Sequence, residues 1–99
     1  MSRTVIVLAE AEQDLDEAVE WYDARQWGIG RRFARAFREC SRSIAEFPES
    51  FAIVHGEFRL AMLKSFPYGV YFRTTPQAIY IHRVIHQARH PDTWRGRRP

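Results

Sequence analysis

Three histidines fall four residues apart near the end of the chain. His82, His86 and His90 lie within HRVIHQARHPDTWRGRR (82–98), which also holds five arginines, Trp94 and a single acid, Asp92. These residue types support three kinds of chemistry. Imidazoles one helical turn apart bind zinc, a histidine titrating near neutrality moves protons, and guanidiniums hold phosphate in a bidentate fork. The element that carries the residues decides among them. IYIHRVIH (79–86) is β-branched and aromatic, which is strand composition. On a strand His82 and His86 stand about 13 Å apart at ~3.3 Å per residue, too far to share an ion. Pro91 and the lack of nearby thiol or carboxylate ligands weaken a zinc site further. The expectation is no metal and no cofactor.

Two other groupings could carry function. If helices cover only one side of a sheet, Arg59, Lys64, Tyr71, Arg73, His86, Arg89, His90 and Trp94 could converge on the other side. Cations interleaved with aromatics suit a phosphate backbone and unstacked bases, although an ordinary wet sheet face would have the same composition. Separately, Arg31, Arg35, Arg38 and Arg42 share one helical face. They could make a nucleic-acid-binding module of residues 31–42, or pair with acids of the preceding helix, or simply be solvated. GRRFARAFR (30–38) lacks the small polar residues that read bases at the start of a recognition helix.

The elements that must position these residues follow from periodicity. TVIVLA (4–9) reads as a first strand. EAEQDLDEAVEWYDAR (10–25) places Ala11, Leu15, Ala18 and Tyr22 at helical spacing with Val19 beside them, and acids crowd its first turns, where the helix dipole favours them. After QWGIG (26–30), RRFARAFRECSRSIAEFP (31–48) resumes the helical period with Phe33, Phe37, Cys40, Ile44 and Phe47 on one face, and Pro48 ends it. PESFAIVHG (48–56) reads as a loop. EFRLAMLK (57–64), FPYGVYFRT (66–74) and QAIYIHRVIHQ (77–87) then read as an antiparallel meander with a turn at TPQ. In the last strand Ile79, Ile81 and Ile85 point one way and Tyr80, His82, Val84 and His86 the other, with Arg83 interrupting the apolar row. The fold class is α+β in the order β-α-α-β-β-β, a helical hairpin packed on one face of a small antiparallel sheet.

Ninety-nine residues make a single domain, 1–99, with a basic and flexible tail at 95–99. One cysteine, Cys40, excludes an internal disulfide and fits a reducing compartment. The apolar run Val5–Ala9 is too short for a signal-peptide core or a membrane span, so the expected location is cytoplasmic, with no membrane partner. Charge is polarised along the chain. Residues 1–25 carry seven acids and two arginines, whereas from Arg59 onward Asp92 is the only acid against eight Lys and Arg. Such a basic half suits nucleic acid, a nucleic-acid machine or an acidic protein.

AEQDLDEAVEWY (11–22), then Arg59 ahead of FPYGVY (66–71), then VIHQARHPDTW (84–94) together resemble the RelE/ParE superfamily of bacterial type II toxins. The matching positions are Ala11, Asp14, Leu15 and Tyr22, then Arg59, Phe66, Pro67 and Tyr68, then Val84, His86, Arg89, Pro91 and Trp94. They span nearly the whole chain in the right order and are closest to the ParE-like branch. The resemblance implies a toxin that arrests growth and is neutralised by a cognate antitoxin, acidic and partly disordered until bound, in a hetero-oligomer. ParE-like members inhibit DNA gyrase and have no known catalytic residues. RelE-like members cut messenger RNA on the ribosome without metal.

Cleavage needs a base for the 2′-hydroxyl, cations for the transition state and an acid for the leaving oxygen. An arginine of RelE-like members aligns here with Gly69, and their C-terminal tyrosine falls near Trp94, whose indole is neither acid nor base. The resemblance therefore leans toward a binder rather than an enzyme. Were the chain a nuclease, His86, Arg89, Arg59, Lys64 and His90 would be its catalytic candidates. The target-binding candidates are Arg59, Arg73, His86, Arg89, Trp94, Arg95 and Arg97. Val19, Trp21, Phe33 and Phe37 exceed what a two-helix hairpin hides beneath itself, so they are the expected antitoxin-binding residues.

Overall fold

A computed structural model describes residues 3–88. Strand β1 (Thr4–Val7) leads into helices α1 (Ala9–Arg25) and α2 (Ile29–Glu46) and a 3-10 turn at Pro48–Ser50. Strands β2 (Ile53–His55), β3 (Phe58–Met62), β4 (Tyr68–Thr74) and β5 (Ala78–His86) follow. The sheet order is β1-β5-β4-β3-β2. β2 to β5 form an antiparallel meander, while β1 lies parallel to β5 in the register Thr4↔Ala78 to Val7↔Ile81. No helix among the described residues is long and apolar enough to cross a membrane.

The α+β hairpin-on-sheet architecture matches the sequence reading, with two additions. β1 makes the sheet mixed, and residues 53–55, read as loop, add a short edge strand. Three residues give too little alternation to register as a strand. β2 exists because β3 offers it an edge and Gly56, at φ +56, lets the chain reverse between them.

The helical hairpin closes around glycines. Gly28 takes a left-handed backbone at φ +94 between the helices and has no side chain to cap α2. Asp23 of α1 supplies the cap, its Oδ1 accepting the Gly28 and Gly30 N–H groups at 3.2 and 2.8 Å. A Cβ on Gly30 would lie 2.7 Å from the Val19 carbonyl oxygen, so only glycine permits this approach of α1 and α2.

The hairpin buries Ala11, Ala18, Phe33, Phe37 and Ile44 against Val70, Phe72, Ile79 and Ile81. Phe47, expected on the apolar face of α2, is instead 63% exposed. Its backbone has already left the helix (φ −135, ψ 58) ahead of Pro48, so it never completes the stripe.

β5 departs from simple alternation. Tyr71 pairs with Arg83 but Phe72 pairs with Ile81, leaving His82 as the extra residue of a bulge. The face therefore slips by one, and Val84 joins Ile79 and Ile81 in the core. Ile85, grouped with those isoleucines in the sequence, pairs with Gly69 and is buried outside that cluster.

Candidate functional site

Four of the residues that carried the family resemblance, Tyr22, Phe66, Tyr68 and His86, meet in an aromatic cluster where α1, α2, β4 and β5 adjoin. Tyr22 stacks on Phe33 at 5.6 Å and meets Phe66 edge-on at 5.0 Å. Phe33 in turn meets Phe66 at 5.1 Å and Tyr68 at 4.8 Å. Tyr68 meets the His86 ring edge-on at 5.1 Å, and His86 Nδ1 accepts the Ala88 N–H at 3.1 Å. Packed rings with one nitrogen spent on the backbone make His86 a structural end-piece of β5 more readily than a proton carrier.

The other candidate cations do not join it. The Arg59 guanidinium donates to the Phe51 carbonyl at 2.6 Å and the Glu49 carbonyl at 3.4 Å, tying down the chain before β2. Arg59 pairs with Phe72 and His86 with Tyr68, which separates them by two strands sideways and about 13 Å lengthwise at ~3.3 Å per residue. Lys64 lines a cleft of about 180 Å³ with Glu39, Cys40 and Met62. Arg73 belongs to another group: its Nε donates to His82 Nε2 at 3.0 Å, and its guanidinium lies 4.4 Å over the Tyr80 ring. Burial, then the Arg73 charge beside it, holds His82 below its ordinary pKa, against the pull of Glu10 and Glu57. Tyr71 is buried and receives the Gln87 side-chain amide at 3.4 Å. The convergence of Arg59, Lys64, Tyr71, Arg73 and His86 on one sheet face is therefore not what the described residues adopt.

Burial also revises the expected partner surface on the helices. Phe33 is fully buried and Phe37 nearly so, because the hairpin lies on the sheet and fills the space above it with these rings. Neither is on offer to another chain. Val19 is half-buried and packs against the core, and Trp21 is exposed on α1 with the Arg25 guanidinium 3.5 Å over its ring.

One contact was not anticipated. Asp14 of α1 binds Arg83 and the Val84 backbone of β5. The hydrogen bond to Asp14 holds Arg83 still higher than its usual pKa. Asp14 was visible as a motif position, and Arg83 as an interruption of an apolar row, but nothing local in the sequence links the two.

Residues 5–91 match the sequence profile of the ParE toxin of the type II toxin–antitoxin system parDE. The chain belongs to the ParE toxin family. Toxin ParE2 of Mycobacterium tuberculosis, from strain CDC 1551 / Oshkosh and from strain ATCC 25618 / H37Rv, is 33% identical over 93 residues, covering 93% of this chain and 89% of the relative. A chain from the chromosomal ParDE system of P. aeruginosa shares the fold with a TM-score of 0.76, at 17% identity, covering 86% of this chain and 96% of that one. Within the ParE family the convergence of Tyr22, Phe66, Tyr68 and His86 explains the spacing of the motif by packing. Arg89, His90, Trp94, Arg95 and Arg97, which the sequence also nominated, lie outside the described residues.

Proposed function

We propose that this ParE-family chain is a growth-arresting toxin that binds DNA gyrase in the cytoplasm and is held inactive by a cognate antitoxin. What supports binding over cleavage is the dispersal of the three catalytic candidates among the described residues. His86 is packed on Tyr68 with Nδ1 engaged, Arg59 is bound to two backbone carbonyls, and Lys64 sits in a separate cleft. Cleavage of RNA needs a base, a cation and an acid around one phosphate. On this reading Arg73, with the tail residues Arg89, Trp94, Arg95 and Arg97, makes target contacts, His86 serves packing at the end of β5, and Val19 and Trp21 face the antitoxin.

The test uses the purified chain against both targets. Inhibited supercoiling with trapped cleaved DNA is the expected result. Cuts in ribosome-bound messenger RNA, with gyrase unaffected, would overturn the reading. His86→Gln should leave toxicity nearly intact, whereas a lost proton carrier would cost about 10²-fold or more in rate. Co-expression with the adjacent small reading frame should give a co-purifying, non-toxic complex.

A further inference from the structure

The outward face of α2 is a row of guanidiniums without carboxylate partners among the described residues. Arg31, Arg35, Arg38 and Arg42 recur at intervals of four, three and four residues, which keeps them in line on a helix of ~3.6 residues per turn. That line lies opposite the buried Phe33, Phe37 and Ile44. All four arginines are exposed, and the ion pairs among the described residues are Arg3–Glu49 and Arg83–Asp14. Of the alternatives for the row, pairing with α1 acids is not seen among the described residues, and the arginines are solvated. Trp27, 84% exposed, stands at its head with the Arg31 guanidinium 6.0 Å from its ring. The row runs about 16 Å at ~1.5 Å per residue.

We propose that this row binds the phosphate backbone of B-form duplex DNA without reading its sequence. The choice of occupant rests on charge and shape. A peptide laid on this face finds no apolar seam, and exposed ion pairs are individually weak and screened by salt. Duplex DNA presents a fixed charge every ~1.7 Å, and each phosphate neutralised releases condensed counterions. Arginine meets phosphate bidentately. A convex helix face suits the major groove of B-DNA, about 12 Å wide, and not the deep, narrow groove of A-form RNA. Contacts from these arginines to phosphate oxygens carry no sequence information, so a random-sequence duplex suffices as ligand. Exposed Glu12, Asp16 and Glu20 on α1 repel phosphate and leave this outer face of α2 to DNA, although exposed Glu39 and Glu46 border the row and reduce its net charge. The proposal does not depend on gyrase as target: a chain inert toward gyrase would still bind DNA.

The experiment is fluorescence anisotropy of the purified full-length chain with a labelled random-sequence DNA duplex of about three helical turns. Between about 50 and 200 mM salt the log–log slope should be about −3 to −4, near −0.9 for each phosphate contacted. Changing all four arginines to Gln should remove most of that slope and weaken binding at low salt by about tenfold or more, and changing them to Lys should preserve the slope. If the fourfold Gln variant melts early, Arg35→Gln with Arg38→Gln alone should remove about half the slope. The proposal fails if the Gln variants bind like the parent chain, if a matched RNA duplex binds as tightly, or if polyglutamate of equal charge competes as well as unlabelled DNA.

Discussion

Asp14 and Arg83, 69 positions apart, are joined by two hydrogen bonds of 2.8 and 3.1 Å, and the same carboxylate accepts the Val84 N–H at 2.9 Å. The pairing of β1 with β5 stops at Ile81, so the Asp14 carboxylate takes the place of the missing strand beyond it. Both side chains are largely withdrawn from water, at 13% and 15% exposure. Asp14→Asn should therefore cost about 2–3 kcal/mol in urea unfolding, because it leaves a largely buried guanidinium without its counter-charge. Combining it with Arg83→Met should cost less than the sum of the two single changes. A loss below about 0.5 kcal/mol would put the pair among ordinary surface contacts.

His82 sets a pH dependence of stability. Its folded-state pKa lies below the ordinary 6.5 because of burial and Arg73, so the unfolded chain takes up a proton there that the folded chain resists. The contribution is fully present above about 6.5 and is lost as pH falls from there through the lower folded-state value. Urea midpoints measured from about pH 7 down to about pH 5 should fall in the parent chain and fall less steeply in His82→Gln. Equal slopes would refute the assignment. Glu49, lowered by its hydrogen bond to Arg3, acts with the same sign in a separate window, as pH falls below its ordinary 4.5.

Cys40 should be nearly inert in the native chain. Burial pushes its thiol up to about 11 from an ordinary 9.0. At pH 8 the thiolate, the reactive form, is then about 10² times scarcer than in the unfolded chain. Iodoacetamide labelling followed by mass spectrometry should be slow in buffer and fast in urea. Comparable rates in both would show the thiol to be open.

The interhelical joint offers a graded series. Gly30→Ala pushes a methyl into the Val19 carbonyl and should cost about 2–3 kcal/mol. Gly28→Ala meets no atom within 4 Å but suffers φ +94, and should cost about 1 kcal/mol. Asp23→Ala removes the cap of α2, for about 1 kcal/mol. Thermal melts that rank Gly28→Ala as the most damaging would contradict this packing.

Elements carried by long periodic runs could be read from the sequence. α1, α2 and the β3–β5 meander appear within a few residues of their expected bounds, because each follows from its own pattern of burial. What was hidden depends on pairs distant in the chain. The bulge at His82 exists only against β4, β2 only against β3, and the cap of α2 comes from Asp23 on the preceding helix. Candidate site residues suffered most. Arg59 was visible as a cation but its carbonyl acceptors were not, and Phe33 and Phe37 looked surplus to a hairpin until the sheet beneath was counted.

The parallel pairing of β1 with β5 has a consequence for synthesis. Thr4 waits for Ala78 and Val7 for Ile81, so the first strand made has no partner until most of the chain has been translated. The helical hairpin draws on neighbours in sequence and can form early, whereas the sheet must pay for loop closure over more than seventy residues. A nascent chain thus passes through a stage with its helices made and Phe33 and Ile44 not yet covered. During that interval the protein is sticky before it is folded, and any chain already present with an apolar face would meet it in that state.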